Sequence, residues 1–487
     1  MLRRLSLIAI ILLSAAGAQA QAPDAQLVAD AKAALDKAAQ YYREQVASHG
    51  GYVYHYSADL SVRWGEGLAT KDEIWVQPPG TPTVGLAYLA AYEATKDQRH
   101  LDAARAAGRA LMHGQLKSGG WTNLVEFDPT SKRIGNYLRG GGHKKGNNNS
   151  TLDDGITQSA LQFLMRLDET EKFADSELHQ AVVTGLDALL AAQFASGGFP
   201  QVWVEPVLST ELPTKASYPK YDWRTEGRIK NYWDMINLND DIAGNTAKTL
   251  SEAHRIYQDE KYLTALKNLG EFLIAAQMPN PQPAWCQQYN YDLVPIWARK
   301  FEPPAVTGGE SQDVMETLIK IFLATGDAKY LEPIPAALEY LKKSRLPDGR
   351  LARYYELETN RPLYMNRNGE QYFLTYDDKN LPDHYGWKRD SRLDAIEAVY
   401  KRLAGRPLVG VQGAISVTTS PDEVRSTVAA LDDQGRWLST YAAGDRLVGQ
   451  PKFRDGEQYL SSQVFSDNVT RLAAFLRQQS LVSGAVK

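Results

Sequence analysis

Two acidic pairs, Asp153-Asp154 and Asp240-Asp241, each stand directly before an apolar stretch with helical spacing. Side-chain oxygens at such places have two uses. They accept hydrogen bonds from the open N–H groups of a helix start, or they supply hard oxygen ligands to a cation such as Ca²⁺. The twelve-residue EF-hand pattern is absent, so any Ca²⁺ site here is of another kind. Basic residues accompany the pairs: Lys144 and Lys145 in the run His143-Lys144-Lys145, Arg299-Lys300 between Trp297 and Phe301, and Arg353 and Arg361 further on. The planar guanidinium of Arg299 suits a carboxylate on a ligand, or else forms a surface ion pair with Glu302. The His-Lys-Lys run reads either as a grip on carboxylate or phosphate or as a solvated loop. Trp203, Trp223, Trp233 and Tyr232 are either sugar-stacking platforms or packing residues. No HExxH, P-loop, dinucleotide fingerprint or nucleophile elbow is present.

The elements that must position these residues form a repeat. One pattern recurs about every 70–85 residues. It is an amphipathic helix, a short polar turn, a second helix, then a turn that ends in an aromatic. The first copy starts near Val84 and closes at Trp121. The second runs from Ile156 to Phe199, the third from Ile242 to Trp285, and the fourth from Ser311 to Tyr355. A fifth helix begins near Ser391, and the segment closing at Trp437 resembles a second-helix terminus. Helices over 26–46 and 467–477 complete or brace the set. Each hairpin has one apolar stripe more than it can bury alone, and stacking of hairpins buries both. The predicted fold is therefore all-α, an α/α toroid or incomplete α/α barrel of helical hairpins with long irregular loops. The loops entering the inner helices converge on one cleft, and the unusual residues lie on those loops.

Composition bounds the rest. Arg3 and Arg4 precede a short apolar run and the small residues Ala18-Gln19-Ala20, the pattern of a secretory signal peptide cleaved after Ala20. Residues 21–487 then read as a single catalytic domain, secreted or periplasmic. No later apolar stretch is long enough for membrane insertion. The chain carries 54 Lys+Arg against 58 Asp+Glu, so bulk nucleic-acid binding is not expected. Cys286 stands alone, which excludes an internal disulfide and a Cys-based zinc site. A monomer is expected.

Seven segments carry a family resemblance. They are TLDDGIT (151–157), LNDDIAGN (238–245), WCQQYNYDLVPIWARKFEPPAV (285–306), GGES (308–311), ARYYELETNRPLY (352–364), HYGW (384–387) and DDQGRW (432–437). In this order they resemble the family 10 pectate lyases, over roughly residues 80–440. The resemblance implies an α/α toroid and Ca²⁺-assisted β-elimination on polygalacturonate. It implies Arg299 as the base that removes the C5 proton, Asp153 on the substrate side, and Arg361 as a grip on a substrate carboxylate. It implies the metal at Asp240 or Asp241, with Asp154 nearby. Lys144, Lys145, Lys300 and Arg353 are the further candidates for substrate binding. An Arg base must first lose its own proton. A surrounding crowd of positive charge, Ca²⁺, Lys300 and Arg361, is expected to ease that loss by like-charge repulsion, with an alkaline optimum as the consequence. The stretch 217–231 departs from the family pattern and is expected to reshape the cleft.

Two rival functions stay open at this stage. An inverting glycoside hydrolase would use paired carboxylates such as Asp153 and Asp241, about 6.5–9.5 Å apart around a water. A non-catalytic glycan-binding protein would use the aromatic cleft without turnover.

Overall fold

The computed structural model describes residues 24–207, 215–225, 231–405 and 419–484. The signal peptide read over residues 1–20, and residues 226–230 of the 217–231 stretch, lie outside them. The chain divides into two compact units: Met1–Ser150 with Ser159–Leu186 and Gly413–Lys487, and Thr151–Gln158 with Asp187–Gln412. As expected, the chain is helix-rich and built of helical hairpins.

In the first unit the helices are α1 (Ala25–Tyr41), α2 (Thr81–Thr95), α3 (Gln98–His113), most of α4 (Ile156–Thr170) and of α5 (Ser176–Ala191), α11 (Pro421–Ala429) and α12 (Ser462–Gly484). The helix expected over 467–477 is thus longer at both ends. It packs on α2, α1 and α11. The second unit holds α6 (Ile242–Tyr257), α7 (Glu260–Ala275), α8 (Glu310–Thr325), α9 (Ile334–Lys343) and α10 (Leu393–Leu403). There α6 packs on α7 and α8, and α10 on α8 and α9. A four-stranded antiparallel sheet in this unit runs Val306–Thr307, Tyr354–Tyr355, Pro362–Asn368, Gln371–Thr375.

The repeat has a hydrogen-bond signature. The closing Trp of three copies donates its indole N–H to a carbonyl in the last turn of the preceding helix: Trp121 to Leu111 at 2.8 Å, Trp285 to Leu273 at 2.7 Å, Trp437 to Thr427 at 2.9 Å. Carbonyls at a helix end have no intrahelical partner, and a buried indole needs an acceptor. One contact meets both needs. A glutamine just after the second helix links neighbouring copies. Gln193 Nε2 donates to Gly197 of its own turn and to Ala265 of α7, both at 2.9 Å. Gln277 does the same with Pro283 and Pro333, at 3.0 and 2.9 Å.

Candidate active site

Several helix starts in this protein are capped in the ordinary way. Asp24, Asp97, Asp259 and Ser420 each accept a backbone N–H of the first turn. The acidic pairs are not caps of this kind. α4 and α6 are entered through single 3₁₀ turns, Asp153–Gly155 and Asn239–Asp241, with no side-chain cap. Asp154 (φ 47°), Asp240 (φ 49°) and Asp241 (φ 55°) all lie in the left-handed region. A non-glycine residue held there costs about 1–3 kcal/mol, a strain that concentrates at functional sites. At α6 the capping alternative therefore does not hold.

The two turns superimpose with an offset that the sequence motifs hide. Thr151 Oγ1 accepts from Asp153 N–H at 3.1 Å, and Asn237 Oδ1 accepts from Asn239 N–H at 2.7 Å. Leu152 N–H donates to Gln201 O, Leu238 N–H to Gln287 O, and before α8 Gly308 N–H to Arg353 O. Asp153 thus corresponds to Asn239 and Asp154 to Asp240. Gln201, Gln287 and Arg353 occupy one repeated place.

This arrangement brings carboxyl groups together. The Asp153 carboxyl lies within the influence of the Asp240 charge, and Asp240 Oδ2 accepts from Asn239 Nδ2. Asp153 is pushed up to about 7, by burial first and by the Asp240 charge second, while Gln201 and Arg299 pull the other way. Its Oδ1 is buried and accepts no hydrogen bond. Gly155, at φ +73°, lies against the Asn245 amide. At Gly244 a Cβ would fall 2.2 Å from Asp241 Oδ1, so only glycine leaves that carboxylate its place. A donor set of carboxylate and amide oxygens with an unsatisfied buried oxygen fits a hard cation such as Ca²⁺. The three residues Asp154, Asp240 and Asp241 do not form a tight group of three carboxylates. Among the described residues that compactness is found only at Asp36, Asp97 and His100, and there Lys32 and Arg99 already pair with the acids.

Arg299 has a neighbour of opposite charge. Its Nε donates to Glu302 Oε2 at 2.8 Å and its Nη2 to Oε1 at 2.6 Å, and its backbone N–H adds 3.0 Å to Oε2. Arg299 retains 40% side-chain exposure and Glu302 only 2%. Burial opposes the guanidinium charge, but the Glu302 carboxylate outweighs it and holds Arg299 well above its ordinary range. Lys300 is exposed, and Arg361, also exposed, stacks on Tyr376 with Cζ 3.5 Å from the ring centroid. Tyr376 in turn donates to Glu356, the acceptor of Arg224 from the 217–231 stretch.

Arg353, expected at the substrate surface, is instead buried, at 2% exposure. Its Nη2 reaches Asn239 Oδ1 at 3.2 Å, and Gln287 Oε1 and Glu310 Oε1 at 3.3 Å. Its repeat position, which is Gln201 and Gln287 in the other copies, points it inward. Tyr354 Oη also donates to Gln287 Oε1 at 3.1 Å and lies 3.4 Å from Tyr385 Oη. Tyr385 Oη donates to Glu302 at 2.7 Å. A polar chain thus joins Arg299 to Asn239, beside Asp240. Lys144 and Lys145 are exposed residues of the other unit. Trp203 and Trp223 are buried packing residues, while Tyr232 and Trp233 are half-buried and meet edge to face.

Glu302 entered the sequence reading only as a surface partner, and Tyr385, Gln201 and Gln287 not as site residues. The repeat held a signal for the glutamines: each stands two residues after a closing aromatic, Phe199 or Trp285.

Residues 127–351 match the model of a family described as pectic acid lyase. No curated protein matches the chain. A mutant of a family 10 polysaccharide lyase from Cellvibrio cellulosa, solved with trigalacturonic acid, is similar at 19% identity and TM-score 0.47, over 66% of this chain and 98% of that one. A cellobiose 2-epimerase from Bacillus thermoamylovorans is similar at 12% identity and TM-score 0.44, over 93% and 100%.

Proposed function

We propose that this chain, a polysaccharide lyase by its pectic acid lyase segment over residues 127–351, cleaves polygalacturonate by Ca²⁺-assisted β-elimination. A chain of polar contacts joins Arg299, through Glu302, Tyr385, Tyr354, Gln287 and Arg353, to Asn239 beside Asp240, and that single observation carries the proposal. An acidic, oxygen-rich pocket beside an arginine is what a uronate carboxylate and its cation require.

The C5 proton of a uronate lies α to the carboxylate. Arg299, once its own proton has left, takes the C5 proton through Nη1, the nitrogen not bonded to Glu302. The electron pair forms the C4–C5 double bond. The glycosidic oxygen on C4 leaves and takes a proton from solvent. No covalent intermediate with the protein is formed. Asp240, Asp241 and Asp154 would hold Ca²⁺, whose charge when bound stabilises the anion that builds on the uronate. Asp153 orients the sugar at the same edge, and Lys300 and Arg361 meet neighbouring carboxylates of the polymer. Export, with cleavage after Ala20, belongs to the same proposal.

The test is ultraviolet absorbance of polygalacturonate during incubation with added Ca²⁺, with excess EGTA, and with Arg299→Ala. A rise that needs both Ca²⁺ and Arg299 is expected. New reducing ends without that rise would replace the lyase with a hydrolase. Polymer binding with neither signal would leave a glycan-binding protein.

A further inference from the structure

The turn that carries Arg299 is closed on itself. Ala298 N–H donates to Glu302 O at 3.1 Å, and Glu302 N–H to Arg299 O at 2.9 Å. Pro303 and Pro304 follow directly and restrict the backbone beyond it. Within this turn the carboxylate of Glu302 meets Arg299 edge to edge through Nε and Nη2, which leaves Nη1 as the one guanidinium nitrogen outside the pair. Glu302 is itself held. Tyr385 Oη donates to it at 2.7 Å. The ring of Tyr385 lies between two guanidinium groups, with Arg353 Cζ 4.0 Å and Arg299 Cζ 5.5 Å from its centroid. Phe301 adds a second ring 5.2 Å from Arg299 Cζ.

We propose that Glu302 is a positioning residue for the reaction: with Tyr385 behind it, it fixes the Arg299 fork so that Nη1 faces the substrate, and its charge governs when that fork can accept a proton. This rests on the role proposed for Arg299. The two effects oppose each other in rate. Alignment favours the elimination. The negative charge keeps Arg299 protonated, and so withholds the base until the pH is high. The groups facing Arg299 are Glu302, Tyr385 and Tyr354, with Asp153 and His384 further off. Glu302 carries the one carboxylate hydrogen-bonded to it among the described residues.

Glu302→Gln removes the charge and one of the two acceptors. A misplaced catalytic group can cost about 100-fold in rate, so kcat at about pH 10 is expected to fall at least about tenfold, with KM within about twofold. The pH at which kcat stops climbing, followed to about pH 12, is expected to fall below that of wild type, because loss of the charge eases deprotonation. Glu302→Asp keeps the charge and shortens the arm. It is expected to lower kcat and leave that pH unchanged. A merely structural role would lower the thermal midpoint and scale the rate equally at every pH. Tyr385→Phe, which keeps the ring and removes the donor, guards against misfolding of the Glu302 variants and is expected to lower kcat without changing KM. A pH profile of Glu302→Gln that stops climbing no earlier than wild type, with Arg299→Ala inactive, would overturn this inference and leave the role of Arg299 standing. Full lyase activity in Arg299→Ala would remove both.

Discussion

The buried carboxylate of Glu302 holds the half-exposed guanidinium of Arg299 at 2.6 and 2.8 Å. The ion pair read in the sequence as the plain alternative to a functional arginine therefore exists, yet it does not remove Arg299 from the site. It fixes the group in place and changes the reason for the pH dependence.

With Glu302 raising Arg299, the neutral base is scarce at neutral pH. Its fraction grows about tenfold for each pH unit below its pKa. We expect kcat/KM on polygalacturonate to climb steadily from about pH 7 to about pH 10. A flat profile over that range would exclude Arg299 as the base.

Asp240 acts on Asp153 through its charge and accepts a hydrogen bond from Asn239. Asp240→Asn removes a charge from the proposed cation site. Changes even to the partners of metal ligands cost roughly 10- to 100-fold in affinity, so at least that loss in Ca²⁺ binding is expected by calorimetry. Unchanged Ca²⁺ affinity would move the site away from this turn.

Arg353 and Glu310 form an ion pair at 3.3 Å with 3% and 1% side-chain exposure. Removal of one partner of a buried pair leaves an uncompensated charge and costs about 3–5 kcal/mol. Glu310 Oε2 already has no hydrogen-bond partner. Arg353→Met is expected to lower stability to urea by about that amount and to leave KM nearly unchanged wherever the protein stays folded. A large KM effect with intact stability would return Arg353 to the substrate surface.

His55 is 4% exposed and its ring Nε2 meets Val448 O at 3.1 Å. Burial lowers its pKa to about 4. The unfolded chain takes up that proton near the ordinary value of about 6.5, the folded chain only near 4, so the unfolded state binds more protons in between. Stability is full above the unfolded value and is lost as pH falls toward the folded one, by about 3 kcal/mol in all. Urea midpoints measured from about pH 7 to about pH 4.5 should fall, and fall less in His55→Gln. Equal slopes in both proteins would assign the acid sensitivity elsewhere.

Much of the fold was legible because its signals are local. Apolar residues at helical spacing give the hairpins, and Trp121, Trp285 and Trp437 mark the ends of second helices because each indole caps the helix that precedes it. The acidic pairs were also visible. Their correspondence was not, since Asp153 matches Asn239 only through backbone hydrogen bonds to Gln201 and Gln287, and left-handed φ values leave no mark on Asp in a sequence.

The amino-acid sequence by itself determined the all-α hairpin repeat, the candidate carboxylates and Arg299, and the resemblance that led to a polysaccharide lyase. Periodicity and residue type are properties of the chain, and they survive without coordinates. Tertiary structure alone decided which charges face one another: Glu302 and not Lys300 against Arg299, Asp240 against Asp153, and Arg353 turned inward to Glu310. Coulomb energy depends on distance and burial, and neither is written in the order of the residues.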